Sequence, residues 1–185
     1  MAAVLLAAGQ SQRFGETDKM MADYRGKPLF AHAMEAVAAL PFAELVAVVR
    51  PISLAPVLHR KLERRGFTLL VNDAPEEGLA GSIVRAISHV AQNPRYRGAL
   101  ICLADMPAVP PSHLTKICEA AVDIRSVIAS TDGFSPCPPS FIGRKHFNEL
   151  LALRGDQGAR ALLSRGILIE TNGPVLRDID VPEDI

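Results

Sequence analysis

Five short apolar runs, Ala3 to Ala7, Leu45 to Val49, Thr68 to Val71, Ala99 to Leu103 and Val127 to Ala129, alternate with longer stretches whose apolar residues recur every three or four positions. Uninterrupted apolar runs of this length are what strands buried on both faces look like, and the helical stretches between them supply the cover. The pattern predicts an α/β fold with a mostly parallel central sheet and helices on both faces. Pro28 suits a first helical position and opens a predicted helix to about Leu40, with Leu29, Ala33, Ala36, Val37 and Leu40 on one face. A second helix is expected over Ala55 to Arg65, stopped by Gly66. Ser82 and Ser112 read as caps of helices running to about Ala91 and Val122. Ser130 to Pro139, dense in Pro, Gly, Ser and Asp, reads as a substrate-facing loop. A short strand around Phe141 and helices over Arg144 to Leu153 and Gln157 to Ser164 complete the expected order.

Composition narrows the function. A chain of 185 residues, nearly half hydrophobic, is the right size for one domain spanning residues 1–185. Its 20 basic and 20 acidic residues cancel, and it has two tyrosines and no tryptophan, so neither long-range attraction nor stacking platforms suit a nucleic-acid binder. Three cysteines without zinc-ligand spacing fit a reducing compartment rather than a disulfide framework. The amino terminus lacks the basic start and cleavage site of a signal peptide, and no apolar run reaches the roughly 18 residues of a membrane span. A cytoplasmic location without membrane contact is expected.

The richest segment is Leu6, Ala7, Ala8, Gly9, Gln10, Ser11, Gln12, Arg13, Phe14, Gly15, a strand running into a turn with glycine at both ends. Backbone amides of such a turn form a nest for phosphate oxygens. Arg13 adds a forked cation and Lys19 a point charge, although solvated loop charge would account for either alone. Neither GxGxxG nor GxxxxGK[ST] follows the strand, which removes support for a dinucleotide fold or a P-loop NTPase. A second segment, Leu103, Ala104, Asp105, Met106, Pro107, ends an apolar strand in one carboxylate. Ligands of open α/β sheets bind beyond the carboxyl ends of the strands, so Asp105 is expected beside the Gly9 turn, or else as the cap of the next turn. A carboxylate next to triphosphate oxygens calls for a divalent cation, and magnesium takes only one or two protein carboxylates. Asp178, Ile179, Asp180, Val181, Pro182, Glu183, Asp184 offers a second source, with Asp180 the metal-side candidate and a capped helix start compatible with it.

The remaining candidates read as structural. Cys102 lies in a strand and Cys118 on a helix without a paired base, leaving Cys137 as the thiol of interest. The five histidines lack ligand spacing, and Arg60, Lys61, Arg64 and Arg65 read as one solvated helix face. No Ser-His-Asp or Cys-His constellation is evident.

Seven ordered segments together resemble the MobA-like nucleotidyltransferases that mature the molybdenum cofactor, particularly the cytidylyltransferase branch. They are LAAGQSQRFG at Leu6 to Gly15, DKM at Asp18 to Met20, GKPLF at Gly26 to Phe30, GLAGSIVRAI at Gly78 to Ile87, LADMP at Leu103 to Pro107, GDQGAR at Gly155 to Arg160 and DIDVPED at Asp178 to Asp184. The resemblance implies a Rossmann-like three-layer sandwich and transfer of CMP or GMP from a triphosphate to the phosphate of molybdopterin, with release of pyrophosphate. It implies that Leu6, Ala7, Ala8, Gly9, Ser11, Arg13 and Lys19 hold the nucleotide, with Gly81 and Ser82 by the base or ribose. Arg13, Lys19 and Asp105 would be catalytic, Asp105 and Asp180 would hold Mg2+, and Pro138, Asp156 and Arg160 would face a phosphorylated pterin acceptor. Ala8 in LAAG favours CTP, since guanylyl relatives place glycine there. Where the cytidylyl branch has a GxP element this chain reads Pro136, Cys137, Pro138, and relatives begin a last helix where this chain reaches Ile185. A sugar or polyol phosphate acceptor, or a non-catalytic role beside a molybdenum oxidoreductase, are the rival readings.

Overall fold

The computed structural model describes residues 1–9, 12–14, 18–74, 78–155 and 158–185, and the backbone but not the side chain of Gln12. In chain order its strands are β1 (Ala2–Ala7), β2 (Asp23–Tyr24), β3 (Lys27–Pro28), β4 (Glu44–Val49), β5 (Phe67–Val71), β6 (Gly98–Leu103), β7 (Val127–Thr131), β8 (Pro136–Gly143) and β9 (Ile167–Glu170). Its helices are α1 (Leu29–Ala38), α2 (Pro56–Arg64), α3 (Gly78–Ala91), α4 (Pro111–Ala120), α5 (Phe147–Leu151) and α6 (Arg160–Leu163). β2 and β3 form a small antiparallel hairpin. The other seven strands make one sheet in the order β5-β4-β1-β6-β8-β7-β9, parallel at every pairing except those of β8.

Successive strand residues point to opposite faces, and β1 uses both. Ala3, Leu5 and Ala7 face a cluster with Phe30 and Val37 of α1, Leu58 and Leu62 of α2, and Leu114 and Ile117 of α4. Ala2, Val4 and Leu6 face Ile83, Ile87 and Val90 of α3, Phe147 and Leu150 of α5, and Leu162 and Leu163 of α6. The predicted α/β class, the five predicted strands and the two-faced cover are therefore all present. No helix of the described residues is long and apolar enough to cross a membrane.

Three expectations change. Ser82 lies in the second turn of α3, which begins at Gly78, because its hydroxyl is engaged sideways rather than by a helix amide. Ser112 does not cap α4, whose cap position is Pro110 with Pro111 opening the helix. Ser130 to Pro139 is not a continuous loop: β7 runs through Thr131 and β8 starts at Pro136. A central strand rarely tolerates proline, since proline cannot donate to the ladder. Here β7 pairs Ala129 with Ser140 and Ser130 with Cys137, so Pro138 and Pro139 fall in the irregularity, opposite no β7 residue. The Ser130 hydroxyl donates to the Pro139 carbonyl at 2.7 Å and accepts from His113 Nε2 at 2.8 Å, closing the gap with buried side chains. The edge strand β9 and the β2–β3 hairpin carried no signal strong enough to be expected.

β6 meets β8 at a seam of opposed glycines, Gly98 and Gly143. A Cβ on Gly98 would lie 2.4 Å from the Phe141 ring and 2.5 Å from the Ile142 carbonyl oxygen, so the strands approach too closely there for any side chain.

Candidate functional site

β1 has β4 on one side and β6 on the other, so the chain reverses its direction of travel across the sheet at β1/β6. Such a switch point opens a crevice beyond the carboxyl ends of the strands. The Ala104 amide donates to the Leu6 carbonyl at 3.0 Å, carrying the pairing one step past β6 and leaving Asp105 at the crevice. Gly9 follows β1 at the same edge, and an added Cβ there would meet nothing within 4 Å among the described residues, so the backbone leaves space on that side.

Lys19 sits in a one-turn 3-10 helix, Lys19–Met21, and is almost wholly buried. Its ammonium lies 2.7 Å from Asp105 Oδ2 and 3.5 Å from Asp180 Oδ1. Arg13, largely exposed in the turn Gln12–Phe14, reaches Asp180 Oδ2 at 3.2 Å. A buried ammonium is costly unless paired, and here two carboxylates compensate it. The Asp180 segment is held from both sides. The Ile179 amide donates to the Asp105 carbonyl at 2.9 Å, and Asp184 accepts from the amides of Asp180 and Val181. Those two amides, with Arg177 adding to them, hold the Asp184 carboxyl below its usual range. Phe14 and Ile179 are buried in one apolar cluster with Leu29, which clasps the Arg13 turn against the Asp180 segment. Burial, followed by the charges of Asp180 and Asp105, pushes the Asp178 carboxyl above its ordinary value.

Arg13, Lys19, Asp105 and Asp180 thus converge. Leu6 and Ala7 bury their side chains in opposite cores and face the crevice only through backbone, while Ala8 packs on the α3 face with Ile83. Gly81 and Ser82 are both buried in α3, Ser82 Oγ accepting from buried Asn72 at 3.1 Å. Arg160 opens α6, exposed, and Pro138 lies in the β8 irregularity. Arg160 is close enough to bear on the charge of Cys137, whose thiol is pushed up to about 11 by burial, then Asp132 and Asp178. At neutral pH that sulfur is protonated and is a poor nucleophile. Ser11 and Asp156 lie outside the described residues.

Sequence reading missed three residues. Asn72 and Arg50 directly follow β5 and β4, where the carboxyl-end rule places ligand-facing groups, and Asp18 caps the Lys19 turn by accepting from Met20 N at 3.0 Å.

The chain matches the MobA-like NTP transferase domain over residues 3–170. It belongs to that family. The nucleotidyltransferase class follows, and with it a nucleoside triphosphate as the substrate type. Among similar proteins, purine catabolism protein PucB of Bacillus subtilis (strain 168) is 28% identical over 193 residues, covering 98% of this chain and 92% of PucB. Rv0371c of Mycobacterium tuberculosis H37Rv has a crystal structure 25% identical with a TM-score of 0.81, covering 100% of this chain and 95% of that one. Its complex with manganese aligns at 24% identity and a TM-score of 0.79, covering 99% and 94%. Molybdopterin-guanine dinucleotide biosynthesis protein A of Archaeoglobus fulgidus shares the fold at 19% identity and a TM-score of 0.66, covering 100% and 94%.

The charged cluster of this NTP transferase fits a divalent cation. Among the described residues no three His, Cys, Asp or Glu side chains group together for a metal, and the carboxylates that meet at Lys19 are the pair Asp105 and Asp180. Two carboxylates match magnesium, which completes its shell with water and substrate phosphate. The Lys19 ammonium, bonded to both, already offsets part of their charge.

Proposed function

We propose that the chain, acting as one domain over residues 1–185, transfers CMP from CTP to the phosphate of molybdopterin in the cytoplasm, releasing pyrophosphate and supplying a molybdenum oxidoreductase. The observation that carries the reading is the Lys19 ammonium held between Asp105 and Asp180 beside the Gly9 turn at the switch point of the sheet. Arg13, Lys19 and the amides of the turn, including that of Ser11, hold the triphosphate. Ala8, Gly81 and Ser82 line the base side, and the Ala8 methyl, packed on the α3 face, narrows the space for a purine. Pro138, Asp156 and Arg160 receive the acceptor.

In the reaction an acceptor phosphate oxygen forms a bond to the α-phosphorus, and the bond from that phosphorus to the bridging oxygen of the β-phosphate breaks. Pyrophosphate leaves with the electron pair. The nucleophile is already anionic near neutrality, so the chain's residues orient the partners and balance charge rather than remove a proton. Asp105 and Asp180 would hold Mg2+, which supplies charge stabilisation at the phosphates. Arg13 and Lys19 bear on the departing pyrophosphate.

Pyrophosphate release across the four nucleoside triphosphates, with molybdopterin, a sugar phosphate, a polyol phosphate or no acceptor, tests the proposal. CTP with molybdopterin is expected to give the fastest release, and discrimination from one methyl limits its margin over GTP to about 1 to 3 kcal/mol. Equal turnover of GTP and CTP overturns the base assignment, preference for a sugar or polyol phosphate overturns the acceptor, and no release with any pair overturns catalysis.

A further inference from the structure

Arg50 is the first residue after β4, at the same edge of the sheet as Gly9 and Asp105, and its position is fixed twice. β4 is paired along its length with β1 and β5, and the Arg50 carbonyl accepts from buried His59 of α2 at 2.7 Å. Its side chain is mostly buried, and Nη2 lies 2.6 Å from Asp18 Oδ2. The hydrogens are poorly aligned, so Nε and Nη2 are buried without a well-directed acceptor. A buried guanidinium so placed costs stability unless its charge serves a partner. Asp18 uses its other oxygen, Oδ1, to cap the 3-10 turn through Met20 N, and its carbonyl accepts from Met21 N at 2.8 Å. That turn carries Lys19, whose ammonium spans Asp105 and Asp180.

We propose that the Arg50–Asp18 ion pair is a positioning device that sets Lys19 for the triphosphate. The proposal rests on the reading of Lys19 as a phosphate-holding residue. The pair joins the rigid end of β4 to a turn that makes one end-on cap bond, and it fixes which way Asp18 presents that cap. Without Arg50 the carboxylate loses this cationic anchor, turns toward water, and releases the Lys19 turn. Loss of either partner should therefore have the same consequence, and loss of both should add little.

Three variants separate this from a merely structural pair. Arg50→Met removes the charge at similar length, Asp18→Asn keeps an oxygen for the Met20 amide while removing the charge, and Arg50→Lys keeps the charge. The first readout is the rate at which an acetylating reagent labels Lys19 in nucleotide-free protein, followed by mass spectrometry. The second is the affinity for magnesium with CTP. Arg50→Met and Asp18→Asn are each expected to raise Lys19 labelling about fivefold and weaken nucleotide binding about tenfold, with the double variant within about twofold of the worse single one. Arg50→Lys should stay near wild type in both. Should Arg50→Met fail to fold, Asp18→Asn with Arg50→Lys carries the same comparison. Unchanged Lys19 labelling in the charge-removing variants, or effects that multiply in the double variant, overturns the proposal. Weakened nucleotide binding with unchanged labelling would make Arg50 a direct phosphate ligand instead. If wild type binds nucleotide but releases no pyrophosphate, the transfer reading fails while the labelling comparison still decides the role of Arg50.

Discussion

The two halves of the sheet deliver their polar residues by different rules. In the half β5-β4-β1-β6 every strand is parallel to its neighbours, and each ends at the same edge. The chain there reads Asn72 after β5, Arg50 after β4, Gly9 just past β1 and Asp105 just past β6. In the half β8-β7-β9 the row is interrupted by the antiparallel β8, beyond which β7 and β9 again run in the direction of β6. Pro138 comes from an irregularity inside β8, Arg160 from the start of a four-residue helix, and Asp180 from a segment pinned by the Ile179–Asp105 backbone bond. One half sets its polar residues directly at strand ends, beside the turns that carry Arg13 and Lys19. The other assembles its residues piece by piece, and in the proposed function that is where acceptors would vary while the nucleotide side stays the same.

The sharpest way to break the comparison is at Asp105, the strand-end carboxylate of the first half. Asp105→Asn keeps shape and removes charge, and turnover should fall at least about 100-fold, or roughly 2.7 kcal/mol, beside a smaller loss of stability because the buried Lys19 ammonium keeps only the more distant Asp180 carboxylate. Full activity with a lowered melting temperature would make Asp105 a turn cap and nothing more.

Gly98→Ala tests the seam between the halves and should show the opposite pattern. The added methyl meets the Phe141 ring and the Ile142 carbonyl at 2.4 and 2.5 Å, with backbone that cannot give. A loss of about 2 to 3 kcal/mol is expected, lowering the melting temperature by about 4 to 12 °C, read by calorimetry. An unshifted melting temperature would mean that β6 and β8 are not held at this spacing.

A smaller pair of effects sharpens the division of labour. Arg13→Ala should raise the KM for triphosphate about three- to tenfold and leave the acceptor KM alone, because it removes an exposed forked cation near phosphate. Arg160→Ala should do the reverse, by about threefold. If both raise the same KM, the two halves do not serve separate substrates.

How much the chain discloses in advance follows the same division. The parallel strands were legible because burial on both faces removes polar residues from them, and Gly9 and Asp105 stood out at their ends. Arg50 and Asn72 obey the same rule but look like ordinary loop starts, and only the fold shows that Arg50 touches Asp18. Ser130 to Pro139 misled because its prolines signal a loop, whereas a register shift places two of them outside the ladder. β9 was hidden by its exposure: Ile167 and Leu168 lie on an open edge, and its alternation is too weak to mark a strand. The approach of Asp180 to Lys19, separated by 161 residues, is a tertiary event that local pattern does not encode.

The proposed transfer breaks the bond between the α- and β-phosphates of a nucleoside triphosphate with the help of a divalent cation. Phosphorus NMR of the wild-type reaction with CTP and molybdopterin, run with magnesium and again with excess chelator, reads it directly. Pyrophosphate and a nucleotidylated acceptor are expected in equal amounts with magnesium and neither with chelator; orthophosphate as the released product, or transfer that proceeds unchanged without the metal, would overturn the proposed reaction.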